Sequence, residues 1–308
     1  MILRPRLQSR FRRFLLYPIE AAVVSVAYGV FAALPIDAAS ALGGWLARTF
    51  GPRLSLSRRA VANLGRAYPE KGAGEIAKIV RGMWDNLGRT AAEYPHLGEI
   101  DVYGNDGRVE VVGAENVDRL RDDGKPGIFF SGHLGNWEIL SLGATQRGLP
   151  LDRIYRAANN RLVEWLYRRG RTAVEGALIP KGPAGARRLI ASLKKGRHLG
   201  MLVDQKMNDG IPAPFFGRAA MTAPALAEFA LRYEFPVVAA RVVRLSGARF
   251  RLVISPPMEL ESTGERQADV ARAMAQVNAV IEGWVRDTPE QWLWLHNRWG
   301  AKGRRGRP

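Results

Sequence analysis

The chain passes from strand to helix within Gly127-Ile128-Phe129-Phe130-Ser131-Gly132-His133-Leu134-Gly135-Asn136-Trp137-Glu138. The first residues form a short, aromatic-rich apolar run between a proline and a glycine, which predicts a buried strand over 127–131. Asn136 is a suitable helix cap, and Glu138 falls in the first turn of the helix predicted over 136–148, where the helix dipole favours a carboxylate. His133 is therefore expected in the turn at the end of a strand.

Outward from this turn, short apolar runs alternate with helical patterns of about 10–15 residues. The predicted strands cover 109–112, 127–131, 151–155, 177–180, 198–203, 236–243 and 250–255. The predicted helices cover 56–67, 74–97, 114–122, 136–148, 159–170, 184–195, 224–233 and 267–286, and the Pro- and Gly-rich segment 208–221 is predicted to be a loop. This order is typical of an α/β fold with a mostly parallel mixed sheet flanked by helices, in which ligands lie at the carboxyl ends of strands.

The composition excludes several classes of chemistry. The 308 residues include no cysteine, so disulfides, cysteine nucleophiles and thiolate zinc sites are absent. Lys and Arg number 46 against 29 acidic residues, a formal charge of +17, which calls for an anionic partner. Nucleic acid, anionic lipid and an acidic protein all satisfy that requirement, so charge alone does not choose among them.

The N-terminus favours a lipid partner. Arginines at 4, 6, 10, 12 and 13 precede the largely apolar stretch 14–34, which is about as long as a membrane span. Glu20 within it and the arginines after 38–50 suit a hairpin or an interfacial helix better than a simple crossing, and a buried helix of a soluble domain is the alternative. We expect a membrane-associated segment over 1–55, an α/β domain over 56–300 and a basic tail over 301–308.

The pairing of His133 with Glu138 predicts acid–base chemistry. A carboxylate on one ring nitrogen fixes the tautomer and leaves the other nitrogen free to take a proton from a hydroxyl. A histidine near a glutamate is more often structural than catalytic, so the residues alone leave both interpretations open.

The segment over 132–138 resembles the His-x4-Asp/Glu signature of glycerolipid-type acyltransferases, with His133 and Glu138 in the two signature positions. Its complete sequence, Gly-His-Leu-Gly-Asn-Trp-Glu, resembles one branch of them, the lauroyl and myristoyl acyltransferases of lipid A biosynthesis. Further blocks similar to that family follow in the same order. They are Tyr155-Arg156, Lys181-Gly182, Asp204-Gln205, Phe215-Phe216-Gly217 with Pro224, and the closing segment 290–299. The resemblance thus spans most of the chain.

The resemblance implies an O-acyltransferase that moves an acyl chain from an acyl carrier protein thioester to a hydroxyl of a lipid A precursor, without a covalent intermediate. His133 would be the general base, and Glu138 would orient it. The implied substrate-binding residues are Arg156, Lys181, Asp204 and Gln205, and Arg156 or the backbone amides of the 132–135 turn would stabilise the oxyanion. Neither a cofactor nor a metal is expected.

The implied partners are acyl carrier protein, the lipid A precursor and the anionic inner-membrane surface, with the active domain on the cytoplasmic side. Basic residues expected to face them are Arg168, Arg169, Arg171, Arg187, Arg188, Lys194 and Lys195. Two alternatives are another lipid acceptor, such as a lysophospholipid or glycolipid, and a non-catalytic basic protein on membranes or nucleic acid. No nucleic-acid motif is present, so we expect no nucleic-acid partner.

Overall fold

The computed structural model describes residues 16–149, 151–155, 157–180 and 183–300. The N-terminal arginines, the basic tail and two predicted substrate-binding residues, Arg156 and Lys181, lie outside the described residues.

A seven-stranded sheet forms the centre of the protein. The strands of the chain are β1 Val109–Val112, β2 Ile128–Ser131, β3 Leu151–Tyr155, β4 Leu178–Pro180, β5 His198–Leu202, β6 Ile211–Phe215, β7 Arg218–Thr222, β8 Val237–Ser246 and β9 Arg249–Met258. The sheet has the order β1-β9-β8-β2-β5-β3-β4, and within it β8 and β9 pair antiparallel while the other neighbours pair parallel. The predicted α/β fold with a mostly parallel mixed sheet is confirmed.

Helices cover both faces of this sheet and form two apolar cores with it. They are α1 Tyr17–Ala32, α2 Ile36–Phe50, α3 Ser57–Ala67, α4 Ala73–Glu93, α5 Glu115–Asp122, α6 Glu138–Gln146, α7 Arg161–Gly170, α8 Pro183–Lys194, α9 Ala225–Tyr233 and α10 Arg266–Asp287. Strand β2 is buried along its whole length at the middle of the sheet, which explains its continuous apolar run.

The prediction of a loop over 208–221 was wrong. Strands β6 and β7 pair antiparallel, and Phe216 and Gly217 join them with positive φ angles of 51° and 65°, as in the tight turns that suit hairpins. Pro212 and Pro214 obscured the strand, but both are exposed on a two-stranded ribbon, where a proline need not donate to a ladder. The buried ring of Phe216 packs against Trp294, which holds its left-handed backbone in place.

The N-terminal helices pack onto the domain through close backbone contacts. A Cβ atom at Gly43 of α2 would lie 2.5 Å from the carbonyl oxygen of Gly88 of α4, so a larger residue would separate the two helices. Among the described residues, no helix combines the length and the apolar character that crossing a bilayer requires.

A buried ion pair joins these helices to the sheet. Glu93, at the end of α4, is fully buried and pairs with Arg244 of β8, with a distance of 3.0 Å between Oε2 and Nη2. Ser40 Oγ of α2 donates to the same carboxylate at 2.7 Å, and Asn136 Nδ2 donates to it at 2.9 Å. One carboxylate therefore connects two helices, a central strand and the turn that carries His133.

The turn after β2 is fixed from two further sides. Asn86 and Thr90 of α4 both donate to the carbonyl oxygen of Gly135, at 3.0 and 3.1 Å. Gly135 has a φ of +54°, and a Cβ there would lie 2.4 Å from the carbonyl oxygen of Val242, so both conformation and space require glycine. The C-terminal segment 291–293 pairs with the turn, since Leu293 N donates to the His133 carbonyl at 3.1 Å.

We predict that Glu93→Ala lowers the free energy of unfolding by about 3–5 kcal/mol, because it leaves the Arg244 guanidinium buried without its anion. Denaturant unfolding followed by tryptophan fluorescence measures the change. The control is Glu110→Ala, which breaks an ion pair with Arg251 whose side chains are 51% and 47% exposed and should cost less than about 1 kcal/mol. Equal losses in the two variants would contradict a special role for the buried pair.

Candidate active site

His133 lies where sequence analysis predicted, in the turn at the carboxyl end of β2. Its Nδ1 is 2.8 Å from Oδ1 of Asp204, and its backbone N–H donates to Oδ2 of the same carboxylate at 2.8 Å. The ring also meets Trp137 edge to face, with centroids 5.1 Å apart. With the carboxylate on Nδ1, the neutral ring carries its proton there, and Nε2 is the nitrogen with a lone pair.

Asp204 reaches His133 because β2 and β5 are parallel neighbours. Ser131 pairs in register with Leu202, so the residues two positions further along each strand are adjacent. Asp204 is buried, and Trp292 Nε1 donates to its Oδ2 at 2.7 Å. Burial by itself would raise the pKa of Asp204, but electrostatic attraction to His133 and the hydrogen bonds from His133 and Trp292 hold that pKa well below its ordinary value.

Glu138 does not make the contact expected of it. No hydrogen bond joins this carboxylate to His133 in the described structure; Glu138 Oε1 instead accepts from Arg171 Nη2 and from Trp137 Nε1. Asp204 already occupies Nδ1, and the buried Arg171 guanidinium is the stronger partner for a second buried carboxylate. Glu138 contacts the histidine only indirectly: it accepts a hydrogen bond from the indole N–H of Trp137, and that ring packs against His133.

Arg171 is more buried than its sequence predicts. It was expected on an exposed face for acidic partners, but its side chain is 9% exposed and lies against the ring of Tyr167, 4.0 Å from the centroid. Burial opposes the charge, but Glu138 outweighs it and holds the pKa of Arg171 above its ordinary value. Arg171 directly follows Gly170 at the end of α7, and nothing in the neighbouring sequence indicates whether an arginine at this position is buried or exposed.

Gln205 lies at the other side of the imidazole, with its Nε2 3.3 Å from Nε2 of His133. Three of the four backbone amides expected as oxyanion donors in the turn are engaged elsewhere: His133 N donates to Asp204, Leu134 N to Gly132, and Gly135 N to Gln291. The side-chain amide of Gln205 lies beside Nε2 of His133 and can donate a hydrogen bond there. The expected roles of Arg156 and Lys181 stay predictions, since neither residue is described.

A large apolar cavity opens beside His133. It has a volume of about 820 Å³ and is lined by His133, Glu138 and Gln205 near the turn. It extends along α6 past Leu140 to Ala144, and α1 covers it with Val24, Ala27 and Phe31. Its walls are mainly aliphatic and aromatic, so an alkyl chain is a ligand that the cavity can desolvate.

The fold and the site define an α/β protein in which a carboxylate-bound histidine faces a cavity suited to an acyl chain. Residues 8–301 match the family model for bacterial lipid A biosynthesis acyltransferases. The chain belongs to this family, whose members transfer acyl groups in lipid A biosynthesis, as the resemblance implied.

Characterised relatives agree with this assignment. The chain is 29% identical over 270 residues to the lipid A biosynthesis palmitoleoyltransferase of Escherichia coli. This alignment covers 84% of the present chain and 83% of the relative. It is 26% identical over 252 residues to the lauroyltransferase of the same organism, with 78% of each chain covered. A crystal structure of the 1-acyl-sn-glycerophosphate acyltransferase of Thermotoga maritima aligns with 90% of this chain and 99% of that chain at 14% identity and a TM-score of 0.38, too low to establish a common fold.

We predict that Asp204→Asn lowers the free energy of unfolding at pH 7 by about 1.5–3 kcal/mol, the worth of a hydrogen bond to a charged group. Because the folded-state pKa of Asp204 is depressed, its contribution is present above the ordinary carboxyl pKa and is lost as the pH falls through the folded value. The difference between variant and wild type should therefore shrink below about pH 4.

Urea unfolding at pH 7 and pH 3 measures this difference. The control is Asp287→Asn, which removes an exposed partner of Arg241 and should change stability by less than about 1 kcal/mol at pH 7. A deficit of Asp204→Asn that stays constant between the two pH values would show that its charge has no such role.

Proposed function

We propose that this chain transfers a fatty acyl group from the thioester of acyl carrier protein to a hydroxyl of a lipid A precursor at the cytoplasmic side of the inner membrane. The observation that carries the proposal is the position of His133, held by Asp204 on Nδ1 and facing the apolar cavity with its other edge. Membership of the family supports the reaction class, and the names of the relatives support the acceptor.

His133 acts as general base in this proposal. Its Nε2 removes the proton of the acceptor hydroxyl as the oxygen attacks the thioester carbonyl, and Asp204 stabilises the imidazolium that forms. The tetrahedral intermediate then collapses, the carbon–sulfur bond breaks, and the thiolate takes the proton from Nε2. The thioester is already activated, so the chain needs no nucleophile of its own.

Glu138 and Arg171 have a supporting role. Their ion pair is buried at the start of α6, and Glu138 also fixes the Trp137 ring against the imidazole. We assign to Glu138 the orientation of His133 through that ring, in place of direct contact. Gln205, whose amide lies beside Nε2, is suited to donate to the oxyanion once substrate moves between them.

The acyl chain of the donor occupies the cavity. Leu140 and Ala144 of α6 and Val24, Ala27 and Phe31 of α1 give the cavity apolar walls, so in this proposal a chain entering from the thioester extends along them toward Ala144. The depth of this end would then limit the length of acyl chain that the protein accepts.

An interfacial position accounts for the surface of α1. Ile19, Val23 and Val26 of this helix are 55%, 64% and 68% exposed, and Trp45 and Phe50 of α2 are also exposed. Apolar side chains in this arrangement suit insertion at the boundary between headgroups and acyl chains, with the excess of arginine and lysine toward an anionic surface. Exposed basic residues at the end of α8 suit an acidic carrier protein.

We predict that His133→Ala reduces kcat for acyl transfer about 10²–10⁴-fold, because the base is lost while the cavity remains. The assay uses acyl carrier protein thioester and a tetra- or penta-acylated lipid A precursor with membranes that carry each variant. The control is His198→Gln, at the opposite end of the sheet, where the ring accepts from Gly127 N. Activity retained in His133→Ala would remove this histidine from its role, and none in the wild type would point to another lipid acceptor.

We predict that Ala144→Leu lowers kcat/KM for long acyl donors at least about tenfold more than for donors several carbons shorter, because the larger side chain occupies cavity space that the proposed path of the chain needs. Competition between donors of two lengths measures the ratio directly. The control is Ala271→Leu on the exposed face of α10, which should leave the ratio unchanged. An unchanged ratio in Ala144→Leu would show that the acyl chain does not reach Ala144.

A further inference from the structure

A second cleft opens behind the first cavity and is lined by four arginines. It has a volume of about 380 Å³, and Arg153, Arg168, Arg171 and Arg188 surround it together with the segment that leads into β4. These arginines come from β3, α7, the turn after α7 and α8, so the fold and not one basic run brings them together. Of these four arginines, only Arg171 has a role in the acyl-transfer chemistry described above, through its ion pair with Glu138.

Arg153 is the best evidence that the cleft binds a ligand. It is 8% exposed, although it carries a charge, and its Nη2 donates to the carbonyl oxygens of Val174 and Gly176 at 3.2 Å each. Its Nε and Nη1 are buried without an acceptor, and no carboxylate pairs with it in the described part of the chain. Such a buried, incompletely satisfied guanidinium is costly unless an anion completes its hydrogen bonds.

The neighbouring charges increase this demand for an anion. Burial and the nearby Arg171 cation both lower the pKa of Arg153. The adjacent carboxylate on β3, Asp152, is committed elsewhere, since it accepts from Arg197 and Ser192. Glu138 is already paired with Arg171, so this carboxylate does not complete the hydrogen bonds of Arg153.

The four arginines differ in exposure: Arg168 and Arg188 lie at the rim of the cleft and are exposed, whereas the side chains of Arg153 and Arg171 are buried in its wall. Arg168 pairs with Glu164 at 2.8 Å and is 55% exposed, and Arg188 is exposed on α8. A ligand can therefore enter from solvent, exchange water for the two outer guanidinium groups and reach Arg153 behind them. Gly200 on β5 faces Arg153 in register and leaves space for the stem of its side chain, so the arginine is accommodated by the sheet.

We propose that this cleft binds a phosphate group. Planar guanidinium groups from several directions match a tetrahedral anion that can carry two negative charges and accept at three or more oxygens. The phosphate can be a free ion or the phosphate ester of a lipid headgroup, and the second source rests on the proposed function. Arg153 and Arg171 also line the acyl cavity, so a phosphate held here would fix a lipid next to the His133 site.

Titration calorimetry with inorganic phosphate tests the site on the full purified chain, at constant ionic strength against chloride. We expect saturable binding by wild type and an affinity at least about tenfold lower in Arg188→Gln, because one charged fork is lost. Arg188 is exposed, so this variant should fold normally. The control is Arg187→Gln, which removes the same charge from the next residue of α8, one that does not line the cleft.

Absence of binding in wild type, or equal weakening by the two variants, would overturn the proposal, since general surface charge would then explain any effect. The source of the phosphate follows from KM values for a phosphorylated acceptor and its dephosphorylated form. An increase in Arg188→Gln confined to the phosphorylated lipid supports the headgroup, and no increase with either lipid supports the free ion. If wild type transfers no acyl group, the calorimetry still decides whether the phosphate site exists.

Discussion

The ion pair between Glu93 and Arg244 is the contact on which the site depends. One carboxylate accepts hydrogen bonds from α2, from β8 and from Asn136 in the turn that carries His133. A buried pair of this kind contributes little net stability compared with apolar residues of the same shape, but its geometry can be satisfied in few ways. Each of its partners must therefore be in place, and the turn acquires a fixed conformation together with the packing of the helices.

Two buried carboxylates lie near the imidazole of His133, and each binds different groups. Asp204 binds Nδ1 and the backbone of His133, while Glu138 binds Arg171 and the indole that packs against the ring. If a single carboxylate did both, it would have to satisfy a cation and a histidine in the same low-dielectric space. The separation keeps His133 oriented by one anion whose charge the folded state stabilises, and it leaves the second anion to neutralise a buried arginine.

The order of strands and helices could be predicted because period and length are local properties of the sequence, and His133 followed from its place at a strand end. Contacts across the sheet could not. The contact of Asp204 with His133 was not foreseen, since nothing local indicates that Ser131 and Leu202 are in register, and the expected role of Asp204 in substrate binding stays a prediction. Arg171 was expected to be exposed for the same reason, and the prolines concealed β6. The boundary near residue 55 stays a prediction, although α2 packs closely on α4.

The pairing of segment 291–293 with the His133 turn has a consequence for the folding of the chain during its synthesis on the ribosome. Trp292 completes the hydrogen bonds of Asp204, and Leu293 binds the backbone of His133, although both follow β9 and α10 in the chain. Domains emerge from the ribosome from the N-terminus onward at about 5–20 residues per second. While residues 292 and 293 are still inside the ribosome, His133 lacks the contact from Leu293, and Asp204 lacks the hydrogen bond from Trp292. His133 therefore gains both contacts only after residues 291–293 have emerged from the ribosome, later than every strand of the sheet.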